Sequence, residues 1–107
     1  MAYKKVKAGS YKWPVVITPP AAEGGGFDSC AMEVEFRRVK RTQLEKVQNN
    51  LELLRLVVCG WSDYKDEAGA EIKFSDKELN ELLEDSCFLQ AAASAFYDSI
   101  TGAKEKN

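Results

Sequence analysis

The 107-residue chain predicts an α+β fold: a small antiparallel β-sheet of N-terminal strands with three to four α-helices packed on it. Three observations predict it. The first third holds a β-branched, aromatic stretch and a stretch of strict apolar–polar alternation. From Leu44 onward, apolar residues recur at spacings of three and four. Strands come first and helices after, rather than alternating with them, which favours helices segregated on one face of an antiparallel sheet.

Tyr11–Thr18 (YKWPVVIT) is the first predicted strand. Pro14 lacks an N–H, which places that strand at a sheet edge or starts it after the proline. Pro19-Pro20 ends it. Residues 21–26 (AAEGGG) read as a mobile glycine-rich loop. In Phe27–Val39 (FDSCAMEVEFRRV), Met32, Val34 and Phe36 point one way while Glu33, Glu35 and Arg37 point the other. The alternation slips at Arg38-Val39, the mark of a bulge or a strand end.

Thr42-Gln43-Leu44-Glu45 has the spacing of a capping box. After it, Leu44, Val47, Leu51, Leu54 and Val58 make one helical stripe, with Asn49-Asn50 as the place where the helix breaks in two. Gly60 is expected to stop this run as a left-handed residue. Asp66-Glu67-Ala68-Gly69 is a turn, and Ile72 and Phe74 have strand spacing. Ser75-Asp76-Lys77-Glu78 is a second capping box, opening a helix with Leu79, Leu82 and Leu83 on one face. Asp85-Ser86 punctuates. A last helix, from about Cys87 to Thr101, carries the stripe Leu89, Ala92, Ala93, Phe96 and Ile100, and Gly102 stops it. The length suits a single domain over residues 1–107, with 1–10 and 103–107 expected to be flexible.

Composition excludes several classes of function. The chain has no histidine, so His-based metal sites, triads and proton shuttles are out. Cys30, Cys59 and Cys87 are far apart and odd in number, which argues against a disulfide framework and a zinc site. The acids Asp63, Asp66, Glu67 and Glu71 lack calcium-loop spacing and read as a solvated turn. No apolar run approaches the roughly twenty residues of a membrane helix, and the lysine-bearing N-terminus lacks the apolar region of a signal peptide, so a cytoplasmic location is expected. No catalytic residue, cofactor or metal is expected.

Charge is unevenly spread. Residues 1–47 hold nine Lys/Arg and five Asp/Glu; residues 48–107 hold six and twelve. Such a split favours self-association or a charged partner. The basic run Arg37-Arg38-Val39-Lys40-Arg41 suits either phosphate contacts or an acidic protein surface. The acids just before it and the acidic whole weigh against nucleic acid. Trp61 reads as a core plug. Trp13, Val15 and Ile17, on a short edge strand, are candidate partner-binding residues by strand addition, together with Arg37 and Arg38.

From about Val34 to Gly102, the order of features resembles the tail assembly chaperones of long-tailed bacteriophages. A strand ending Phe36-Arg37-Arg38 leads to a capped polar helix, and an apolar helix then runs into Val58-Cys59-Gly60-Trp61. The turn Asp66-Glu67-Ala68-Gly69, then Ile72-Lys73-Phe74-Ser75, precedes the Leu-rich Glu78–Leu83 helix, and the terminal helix carries Phe96-Tyr97. Many members carry an acid after the Trp and a Pro before the Phe, where this chain has Ser62 and Lys73. The resemblance implies a non-enzymatic protein of the bacterial host cytoplasm. It would hold the long helical tape-measure protein soluble, promote polymerisation of the tail tube protein around it, and be absent from the finished virion. The competing readings are a small nucleic-acid-binding or regulatory protein and a minor structural tail protein.

Overall fold

A computed structural model describes residues 2–5, 9–20, 26 and 29–102. The glycine-rich loop expected at 21–26, apart from Gly26, and the tail expected at 103–107 lie outside the described residues, as do residues 1 and 6–8 of the N-terminal segment. The element order is β1 (Ser10–Ile17), β2 (Cys30–Arg37), α1 (Arg41–Glu45), α2 (Asn50–Val57), β3 (Val58–Ser62), α3 (Asp76–Leu82) and α4 (Ser86–Thr101). The three strands form one antiparallel sheet in the order β1-β2-β3, and the four helices pack against it. This is the α+β arrangement that the sequence predicts.

Alternation along β2 sets the two faces of the sheet. Met32, Val34 and Phe36 are buried, and their register partners on β1 are Val15, Trp13 and Tyr11. That face meets the buried stripe of α4 (Phe88, Ala92, Ala93 and Phe96) and the buried side of α2 (Leu53, Leu54 and Val57). The alanines of α4 leave room for close approach, and the rings of Phe36 and Phe96 meet edge to face with centroids 5.3 Å apart. The stripe expected on α4 holds at Ala92, Ala93 and Phe96, while Phe88 is buried in addition and the two outer members, Leu89 and Ile100, are not. Leu89 is half-buried, and Ile100 is 47 % exposed.

β1 is an edge strand, as Pro14 suggests. The Arg38 N–H donates to the Gly9 carbonyl (2.7 Å), extending the pair one residue beyond Ser10 and Arg37. Since inward- and outward-facing backbone groups alternate in an antiparallel pair, residues 11, 13, 15 and 17 face β2 and residues 10, 12, 14 and 16 face the open edge. Pro14 thus removes a donor from the middle of the free edge, which opposes strand addition there.

The region between α1 and β3 departs from the expected single stripe. The helix does break at Asn49, whose side chain accepts from the Glu52 N–H (2.9 Å) and so restarts the chain as α2. The restart changes the helical phase, so Leu53, Leu54 and Val57 are buried while Leu51 is only half-buried. The cap of α1 is Lys40, not Thr42: the Gln43 side chain accepts from the Lys40 N–H (2.9 Å). Val58 is the first residue of a third strand that the helical reading missed. Gly60 lies within β3 and is no left-handed cap, because β2 recruits Val58–Ser62 by pairing Phe36 with Val58 and Glu35 with Gly60. Cys59 is the extra residue of a bulge between those pairs. A Cβ on Gly60 would stand 2.9 Å from a Glu35 carboxylate oxygen, the movable end of a flexible side chain, so a larger residue here would displace that carboxylate.

The remaining joints follow the expected chemistry. Asp66 Oδ1 accepts from the N–H groups of Ala68 and Ala70, and Gly69 adopts φ +88°, closing the hairpin bridged at Lys65 and Glu71. Ser75 Oγ accepts from the Glu78 N–H (3.1 Å) and caps α3. Asp85 caps α4, and Gly102 ends it at φ +76°.

Candidate functional site

Among the described residues, an open groove of about 750 Å³ lies where β1, the end of β2, α1 and the C-terminal turn of α4 meet. Alternation places Tyr11 and Trp13 on the helix-facing side of β1, where their ring edges reach the groove. Phe96 and Ile100 come from α4, and Leu44 from α1. These five side chains make an apolar floor. The rim is cationic: Lys12, Arg37, Arg38 and Arg41 line it, and among the described residues no carboxylate does.

Local chemistry holds this rim in place. β2 ends at Arg37, and Arg37 Nε donates to the Leu56 carbonyl on α2 (3.3 Å). The Arg38 guanidinium stands over the Tyr11 ring, 5.0 Å from its centroid, a cation–π contact that keeps both groups at the mouth. Arg41 pairs with Glu45 one turn on along α1. Beneath the rim, Tyr11 Oη and Ser99 Oγ are 2.7 Å apart, and Ser99 Oγ lies 2.6 Å from the Phe96 carbonyl. A serine hydroxyl has one proton. With that proton on the Phe96 carbonyl, Tyr11 is the donor to Ser99.

The five partner-binding residues expected from the sequence separate into two groups. Trp13, Arg37 and Arg38 come together at the groove. Val15 does not: it is 0 % exposed in the middle of the core, so its side chain is closed to a partner. Ile17 is half-buried and packs against the same core. Both follow from the period of two, which turns Val15 and Ile17 toward α4 along with Trp13, and only the end of the strand nearer Tyr11 opens onto the groove. Sequence reasoning missed Tyr11, Leu44 and Ile100 as parts of one surface. The only signal for Tyr11 was its parity with Trp13; nothing local joins Leu44 to Ile100.

Trp61 is a half-buried joint. Its Nε1–H donates to the Ile72 carbonyl (2.8 Å), and its ring meets Tyr64 and Phe74 edge-on at 5.3 and 4.8 Å. This clamps the 64–72 hairpin against the sheet. Burial pushes the Tyr64 phenol above its ordinary pKa, and the carboxylates of Glu78, Asp85 and Glu81 add to the effect. On the outer sheet face, burial and then the Glu35 charge raise the Cys59 thiol in the same way. The three cysteines are free, with Cys30 exposed. Among the described residues, no cluster of His, Cys, Asp or Glu is placed to hold a metal ion, and no helix is long and apolar enough to cross a membrane.

The fold and groove together define a small α+β protein with a cationic-rimmed, apolar-floored groove. Compared with protein-family models, curated proteins and solved structures, the chain matches none.

Proposed function

We propose that this protein is a tail assembly chaperone of a long-tailed bacteriophage, an interaction protein that binds the tape-measure protein and keeps it soluble while tail tube protein polymerises around it. The observation that carries the reading is the groove, which joins Trp13 to Arg37 and Arg38 over an apolar floor. A holdase for a long helical client needs such a surface: apolar area to cover the client's exposed stripe, and charge to fix its orientation. The resemblance over Val34–Gly102 supplies the identity of the client. The groove favours docking of a side-chain-bearing helix over addition of a strand at β1, because Pro14 interrupts the free edge.

Co-expression with the tape-measure protein of the same genome tests this. Wild-type chain is expected to raise the soluble yield of that protein and to co-purify with it. A Trp13→Ala, Arg37→Glu, Arg38→Glu variant that keeps a native circular dichroism spectrum is expected to lose both effects. If the folded variant retains full yield, the client surface lies elsewhere. The cationic rim also suits a nucleic-acid phosphate backbone. A mobility shift of duplex DNA or RNA at low salt, relieved by added salt, would favour that reading.

A further inference from the structure

The positive charge at the mouth of the groove is unbalanced and one-sided. Lys12 comes from β1, Arg37 ends β2, Arg38 follows it, and Arg41 opens α1, whereas α4 contributes only the uncharged Phe96, Ser99 and Ile100. Among the described residues, the one ion pair is Arg41 with Glu45. Its side chains are 77 % and 58 % exposed, so the pair is weak and can exchange partners. The other three cations have no carboxylate partner among those residues. Lys12 lies opposite Glu35 in the strand register, but Glu35 accepts a hydrogen bond from Ser10 Oγ instead. Arg37 donates to the Leu56 carbonyl through Nε, which leaves its Nη groups for a ligand, and Arg38 lies over the Tyr11 ring. Beside these cations the floor keeps uncovered apolar area, since Ile100 is 47 % exposed.

We infer that the groove takes one amphipathic helix of a partner protein, whose apolar stripe is bordered on one side by carboxylates. This rests on reading the groove as the client surface, and it specifies the segment of client that fits. A stripe at i, i+3, i+4 and i+7 covers the floor. The acidic border is on one side because β1, β2 and α1 supply all the rim cations and α4 supplies none. A carboxylate placed there accepts two N–H bonds from one guanidinium, a charge-assisted and directional contact. A lysine in the same place meets like charge and is rejected. A helix also arrives with its backbone groups already paired, so it needs nothing from the β1 edge that Pro14 interrupts.

Calorimetric titration of the full chain with two designed helical peptides, each about 18 residues long, tests the inference. Both carry the same leucine stripe; one borders it with glutamates and the other with lysines, and circular dichroism matches their helicity. The glutamate peptide is expected to bind at least about tenfold more tightly at low salt, and the ratio to shrink as salt is raised. Arg37→Glu with Arg38→Glu is expected to invert the preference, and an inverted preference also shows that the variant is folded. Scrambling the leucine stripe of the glutamate peptide is expected to cost about tenfold or more. Equal affinity for the two peptides overturns the inference, as does a preference that the reversal leaves unchanged. Duplex DNA that displaces the glutamate peptide at equal concentration also overturns it, giving the rim to phosphates. So does an affinity for that peptide that falls as protein concentration is raised, which would give the groove to a second copy. Co-expression with tape-measure protein separates this inference from the chaperone reading. A chain that keeps that protein soluble but shows no preference for the glutamate peptide loses the inference alone. A chain with the tenfold preference and no effect on soluble yield loses the chaperone reading alone.

Discussion

The Tyr11 hydroxyl donates to Ser99 Oγ across 2.7 Å, joining the start of the first strand to the end of the last helix, 88 residues away in sequence. The Ser99 hydroxyl in turn donates a hydrogen bond to the Phe96 carbonyl (2.6 Å). This short chain of bonds ties β1 to α4 among the residues that line the groove.

Tyr11→Phe keeps the ring against Phe36 and under Arg38 but removes the donor. It is expected to cost about 0.5–1.5 kcal/mol in urea unfolding. Ser99→Ala should cost a similar amount. The double variant should cost less than the sum, because both changes delete the same bond. Strict additivity would show that the two hydroxyls are not coupled in solution.

Val15 and Trp13 are two residues apart and should behave in opposite ways. Val15→Asp puts a carboxylate in the centre of the core and is expected to lower stability by more than about 3 kcal/mol, to the point of unfolding the chain. Trp13→Ala removes a half-buried ring at the groove, and the variant should remain folded. Thermal melts followed by circular dichroism separate the two. A stably folded Val15→Asp would mean that β1 does not pair with β2 in the register found here.

Gly60 faces the Glu35 side chain across the β2–β3 pair. Gly60→Ala brings a Cβ against the Glu35 carboxylate, which must swing aside, and should destabilise by less than about 1 kcal/mol. In a Glu35→Ala background, the same substitution should be neutral or mildly stabilising, since the loss of chain freedom in the unfolded state then goes unopposed. Chemical denaturation of the four variants provides the measurement. An equal cost in both backgrounds would assign the glycine to some other constraint.

Tyr64 makes stability depend on pH on the alkaline side. Its pKa is raised in the folded state, first by burial and then by Glu78, Asp85 and Glu81. From about pH 10, the ordinary phenol value, up to the higher folded value, the folded state binds more protons than the unfolded one. Stability therefore falls as pH rises through that window, and this group contributes no slope below it. Tyr64→Phe should flatten that part of the stability curve. An unchanged alkaline slope would locate the titrating group elsewhere.

Several joints were legible from sequence because their chemistry is local. Ser75 caps α3, Gly102 ends α4, Asn49 breaks the helical run, and Asp66 with Gly69 makes the turn. Each needs only a side chain within reach of a backbone group a few residues away. The alternation of Met32, Val34 and Phe36 likewise determined the buried face of β2 and, with the order of elements, the α+β class.

Other features were decided only in three dimensions. Val58 continues an apolar helical stripe in sequence, yet it opens β3, because the edge of β2 offers Val58–Ser62 a hydrogen-bonded ladder, while Val58 and Gly60 are poor helix formers. Gly60 looked like a helix stop and is instead the contact point for Glu35, 25 residues earlier. Val15 looked available on an edge strand and is closed by α4. The groove is the plainest case: Trp13, Arg37, Leu44 and Ile100 share no local pattern, and only the packing of α4 across β1, with α1 at its end, brings them to one surface. Short-range hydrogen bonding and periodicity are written along the chain, whereas a surface made by four elements depends on how their faces meet.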